Sequence, residues 1–205
     1  MNETSTDQQS NNMNLEEARD KVRQAIKENR NYDSDYEIDE GGIIETDFAW
    51  YIPFRDIRAI NIQDLPVGAY YGFIIGKMLG DLHRPGSAYS IEKWLLGYEL
   101  GLSDGPHDLV ITKINDRLAT RKSLKRLNLT YFKPELENGI TWKIPKNFTD
   151  KMIDERMANI PCKFKNQRFA FQIDTFKEIR DSRIFEYELV KTVDEKVNEI
   201  GERIE

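Results

Sequence analysis

The segment from Tyr70 to Leu102, YYGFIIGKMLGDLHRPGSAYSIEKWLLGYELGL, constrains this chain more than any other. Tyr70 to Lys77 is β-prone, with apolar residues on both faces. Met78-Leu79-Gly80 reads as a turn into a short strand around Asp81 to Arg84, and Pro85-Gly86 breaks it. Ser90 is placed to cap a helix running through Leu100, with Ile91, Trp94, Leu95 and Tyr98 on its buried side. Gly101 then stands where a helix commonly ends on a left-handed glycine. Two strands, a turn and a capped helix in so short a stretch favour an α+β fold.

The rest of the chain extends that pattern. Asn14 with Glu17 three residues on forms a capping-box pair. Leu15, Ala18, Val22, Ala25 and Ile26 follow on one helical face, and Asn29 and Asn31 mark the exit. Gly41-Gly42 predicts a turn. From Ile44 the period changes to two: Ile44, Phe48, Trp50, Ile52 and Phe54 face one side of a half-buried strand, and Glu45, Asp47 and Tyr51 the other. Pro53 places the end of that strand or a sheet edge there. Residues 55–68 read as a loop. The expected unit is α-β-β-β-α, an antiparallel sheet with packed helices over residues 14–102, behind a disordered polar tail at 1–13.

A second α+β domain or extension is expected over residues 108–205, after a linker at Ser103 to His107. A helical pattern starts at Leu109, with Ile111, Ile114 and Leu118 on one face and a break near Thr120. Leu129 to Lys133 and Ile140 to Ile144 alternate as strands around the Asn138-Gly139 turn. Asn147 or Thr149 starts a helix through Met157. Arg168 to Ile173 and Arg183 to Lys191 read as strands, and Thr192 with Glu195 caps a last helix.

Composition bounds function. The lone cysteine, Cys162, excludes an intramolecular disulfide, which suits a cytoplasmic protein. No run approaches the ~20 apolar residues of a membrane span, and the N-terminus has no secretory pattern. The net charge of −6 is unevenly placed. Residues 31–54 carry seven carboxylates (Asp33, Asp35, Glu37, Asp39, Glu40, Glu45 and Asp47) and no Lys or Arg. Residues 103–168 carry fourteen bases against eight acids.

No reactive motif stands out. His83 and His107 lack further His or Cys at zinc spacing and read as surface or turn residues. Cys162 has no base beside it in sequence and reads as a structural thiol. The run from Asp33 fails the calcium-loop template, with Ile38 and Ile44 at the positions that need Gly and Glu. Glycines 68, 72, 76 and 80 match no phosphate-binding fingerprint and read as bulges or close backbone approaches. Lys113, Arg117, Arg121 and Lys125 recur every four residues as a loose basic stripe, read first as a solvated face rather than a nucleic-acid site. No cofactor and no metal is expected.

The opening helix LEEARDKVRQAI, the aromatic strand TDFAWYIPF, the segment GFIIGKMLGDLHRPGSA and the closing YSIEKWLLGYELGL together resemble the bacterial immunity protein 35 family of polymorphic-toxin systems. The resemblance spans residues 15–102. It implies a cytoplasmic, non-catalytic inhibitor that neutralises a cognate toxin by stoichiometric contact. On that reading the carboxylates Asp33, Asp35, Glu37, Asp39, Glu40, Glu45 and Asp47 line part of the interface, because an acidic surface steers a basic partner. Tyr36 and Tyr51 beside them are then candidate exposed anchors. The alternatives are an adaptor for another partner and an enzyme built from unrecognised residues.

Overall fold

The computed structural model describes residues 12–29, 36–57, 71–102 and 105–192. The N-terminal tail through residue 11, Asp33, Asp35, most of the 55–68 loop and the last helix lie outside the described residues. The chain divides into two compact units, residues 1–99 and 100–205. Both mix helices with antiparallel strands, so the fold is α+β.

The first unit begins with α1 (Leu15–Glu28). Its capping box is formed: Glu17 N–H donates to Asn14 Oδ1 at 3.0 Å and Asn14 N–H donates to Glu17 Oε2 at 2.9 Å. This satisfies two of the donors a helix start leaves open. Ala18, Val22 and Ile26 turn inward. Strand β1 (Tyr36–Ile38) and a 3-10 turn (Glu40–Gly42) lead to β2 (Ile44–Glu45), β3 (Ala49–Asp56), β4 (Gly72–Gly76), β5 (Leu82–His83) and α2 (Ile91–Glu99). The sheet runs β1-β3-β4-β5, with β2 also paired to β3.

The strand expected to run unbroken from Ile44 is a hairpin. The Thr46 hydroxyl donates to Ala49 O at 2.9 Å and Ala49 N–H donates back to it at 3.0 Å, folding β2 onto β3. Pro53 neither ends β3 nor marks an edge. It faces the gap where β2 has ended and β1 takes over, and its carbonyl accepts Asp39 N–H at 2.9 Å. A strand residue turns its N–H and C=O to the same side, so the donor Pro53 lacks is one this gap does not use.

The sheet is covered on both faces. Trp50, Ile52, Phe54, Phe73 and Ile75 pack against α1. On the opposite face, His83 lies 5.9 Å from Trp94 and Tyr98 stacks on Phe48, which places α2 there. The β4 glycines make room for that layer. A methyl group at Gly72 would stand 2.6 Å from the Tyr51 ring, so this glycine serves close approach.

The second unit is built on a sheet ordered β10-β6-β9. Its elements are β6 (His107–Ile114), α3 (Arg117–Arg126), β7 (Thr130–Glu137), β8 (Ile140–Asn147), α4 (Asp150–Arg156), β9 (Cys162–Gln167), α5 (Ile173–Asp181) and β10 (Phe185–Lys191). The helix expected from Leu109 is a strand, because β6 pairs on both sides and buries Leu109 and Ile111. The helix starts later, at N-cap Asp116, which accepts Ala119 N–H at 2.9 Å. Thr120 lies inside that helix and Leu118 is exposed. The strand expected at Arg168 to Ile173 lies earlier, as β9, and Ile173 opens a helix whose Phe176 packs on Phe169 at 4.9 Å. Thr149 caps α4 as expected. Among the described residues strands β7 and β8 pair only with each other, as a two-stranded ribbon closed by Asn138 (φ 54°) and Gly139 (φ 78°). Both turn residues carry the positive φ that a tight hairpin needs.

Candidate interaction surfaces

The acidic segment of the first unit is largely spoken for within the unit. Glu37 sits across from Arg55 in the β1–β3 register and pairs with it at 2.8 Å. Glu40 pairs with Arg19 at 2.5 Å and Glu45 with Lys77 at 2.7 Å. The Arg19 and Arg55 guanidinium groups are held even more firmly protonated than usual, Arg19 chiefly by its hydrogen bond to Glu16 on α1 and then by Glu40, and Arg55 by Glu37. Asp39 is half-buried beside the 3-10 turn. Asp47 stands exposed, and among the described residues it makes no ion pair.

Neither tyrosine is an exposed anchor. Tyr36 is half-buried, with its ring 5.7 Å from Phe54 and from Tyr71. Tyr51 is 5% exposed, on the same sheet face as His83, where α2 packs, so the face that alternation assigns to solvent is covered. Alternation says which residues share a face but not whether a second layer covers it.

The basic stripe also dissolves into internal pairs. Lys113 is on β6 and pairs with Glu186 at 2.8 Å. Arg117 donates to the carbonyls of Met157 and Asp154 at the end of α4. Arg121 and Lys125 both reach Asp150 at 3.0 Å, and Arg126 reaches Glu178 on α5. The two bases beside Asp150, Lys125 first, pull its carboxyl below the usual range. Four of the five cations of α3 thus tie three helices together, and Lys122 is exposed and makes no ion pair among the described residues.

The reactive side chains are sequestered. Cys162 is buried, which pushes its thiol up against the opposing pull of Arg156. His83 and His107 are core residues, at 3% and 2% exposure, rather than surface or turn residues. Burial, with the charge of Lys191, lowers the His107 pKa. Among the described residues no cluster of His, Cys, Asp and Glu could hold a metal, and no helix is long and apolar enough to cross a membrane.

The ribbon brings four exposed large apolar side chains together on one hairpin, while others, such as Met78, Leu79 and Phe171, stand exposed elsewhere. Phe132 is 51% exposed, Leu136 75%, Ile140 49% and Trp142 52%. Among the described residues its base is what is held. Tyr131 packs on Phe148 at 5.2 Å, and Phe148 packs on the buried Phe164 at 5.2 Å. Arg156 lies over both phenylalanine rings. The buried Gln167 on β9 then mimics a strand. Its Oε1 accepts Thr130 N–H at 2.8 Å and its Nε2 donates to Thr130 O at 2.7 Å. Nothing in the sequence around Gln167 signals this clamp. The hairpin itself was readable from Asn138-Gly139, but its projection was not.

The chain matches no protein-family model, no curated protein and no solved structure.

Proposed function

We propose that this chain is a binding protein that neutralises a cognate toxin by stoichiometric contact, the role implied by the resemblance of residues 15–102 to immunity protein 35. The carrying observation is the ribbon, where four large apolar side chains stand about half or more exposed. Exposed apolar surface of this kind marks interaction sites more often than catalytic ones. The state of the other candidate groups agrees with that emphasis. Cys162, His83 and His107 are buried in cores, and most described carboxylates of the acidic segment are engaged in ion pairs. The basic cations of α3 serve helix packing, so nucleic acid is the weaker partner class.

Affinity capture of the tagged full chain from its native lysate, with mass spectrometry, tests the reading. A single toxin-like protein at near-stoichiometric yield is expected, and co-expression of the chain should protect cells from it. Recovery of housekeeping proteins alone, or a captured toxin whose activity the chain leaves intact, overturns the reading.

A further inference from the structure

The ribbon's two faces follow from its register. Thr130, Phe132, Pro134 and Leu136 share one face with Thr141, Lys143, Pro145 and Asn147. Tyr131, Lys133, Glu135 and Glu137 share the other with Ile140, Trp142, Ile144 and Lys146. Each face carries exposed apolar residues, Phe132 and Leu136 on one and Ile140 and Trp142 on the other. This differs from the usual antiparallel sheet, which has one apolar and one polar face.

The edges are closed to strand addition. In a two-residue hairpin the closing pair, here Glu137 and Ile140, exchanges its hydrogen bonds. The alternate pairs therefore turn their N–H groups outward. On β7 that outward row is Thr130, Phe132, Pro134 and Leu136; on β8 it is Thr141, Lys143, Pro145 and Asn147. Thr130 is already taken by Gln167. A proline interrupts each row and removes a donor, a common way of blunting an edge. Docking must therefore use the faces.

One face is too small by itself. Eight residues at about 3.4 Å each give an arm about 27 Å long, and two strands with their side chains are roughly 10 Å wide. One face thus offers roughly 270 Å², against the roughly 800 Å² per partner of a standard interface. Both faces with the tip come within reach of that figure. The occupant must embrace the arm.

Charge narrows the occupant further. On the Trp142 face Glu135 is neutralised by Lys133 and Lys146, each at 3.5 Å. The Phe132 face has no carboxylate and one cation, Lys143, which among the described residues is unpaired. Two copies packed by that face would have no acid to meet it. A phosphate-lined groove would receive Leu136, Glu137 and Ile140 at the tip, apolar and acidic groups where cations are needed.

We infer that the ribbon is an insertion arm that enters a cleft of a partner protein, with apolar walls on both sides and a carboxylate facing Lys143. This rests on the binding reading above and names its surface. The test places a photo-crosslinking benzoylphenylalanine at position 132, 142 or 78 of the full chain in the producing cells. Positions 132 and 142 lie on opposite faces, and Met78 is an exposed position of the first unit. The expected result is an adduct to one and the same protein from 132 and 142, none from 78, and cross-linked peptides containing apolar and acidic residues. K143E should lower both yields about fivefold, the weight of one partly shielded charge pair. Adducts from one face only, with the chain itself, or with nucleic acid overturn the arm. Adducts from 78 alone overturn it while leaving the binding reading standing, and no adduct anywhere counts against both.

Discussion

The sheet of the first unit and the ribbon of the second are both antiparallel, and both carry apolar residues on two faces, yet the central strands of one are buried and the other stands in solvent. In the first, α1 lies against Trp50, Ile52 and Ile75 and α2 against the Tyr51 and His83 face. In the second, Gln167, the Tyr131–Phe148–Phe164 stack and Arg156 hold the base. The local signs that separate them are charge density and where proline falls: the core strand β3 sets Pro53 opposite the gap between β1 and β2, whereas the ribbon sets its prolines on the open edges. β4 is GFIIG, without a charge, while β7 and β8 place a Lys or Glu at nearly every second or third position and a proline on each outward row. A strand meant for a core has no need to blunt its edges; an arm in water does.

The largest effect should fall on that contrast directly. Ile75→Ala removes methyl groups from a fully buried site and should cost about 2–5 kcal/mol in urea unfolding. Phe132→Ala should stay within roughly 0.5 kcal/mol. A Phe132→Ala cost approaching that of Ile75→Ala would mean the ribbon is packed, and the contrast would break.

The next effect sharpens the crowded side. Gly72→Ala drives a methyl into the Tyr51 ring and should cost about 1–3 kcal/mol by overpacking. Tyr51→Leu in the same chain should return much of that loss, because the two positions share one space. Additive losses in the double variant would show that the close approach is not what Gly72 provides.

The clamp at the ribbon base comes third. Gln167→Ala strips Thr130 of both side-chain partners and should cost roughly 1–3 kcal/mol. Hydrogen exchange should quicken from Thr130 towards the turn while β3 and β4 amides are unchanged. Equal protection in the variant would assign the ribbon's position to the aromatic stack alone.

The smallest effect is a pH slope. Burial, helped by Lys191, sets the folded pKa of His107 below its unfolded value, so the unfolded chain binds the extra proton. Stability is full above the unfolded value of about 6.5 and falls as pH drops through it towards the folded pKa. H107Q should flatten thermal stability between about pH 7 and 5.5, above the range where Asp150 and Asp181 titrate. An unchanged slope would remove His107 as its source.

Much of this molecule was written in short stretches of sequence. The Asn14–Glu17 capping box, the Thr149 cap, the Asn138-Gly139 turn and the α2 helix behind Ser90 all stand where neighbouring residues put them. Caps and tight turns are decided within four residues, so no distant partner can overrule them. Tertiary structure decided the rest. Leu109 and Ile111 became strand because β9 and β10 flank them. Residues 173–181 became helix because Ile173, Phe176 and Ile179 found a core. The acidic segment lost Tyr51 to the interior, left Tyr36 half-buried, and gave three of its five described carboxylates to Arg19, Arg55 and Lys77. Among the described residues the ribbon kept its apolar faces because no helix covers them. Periodicity sorts side chains onto faces, but whether a face is buried depends on a layer supplied from elsewhere in the chain.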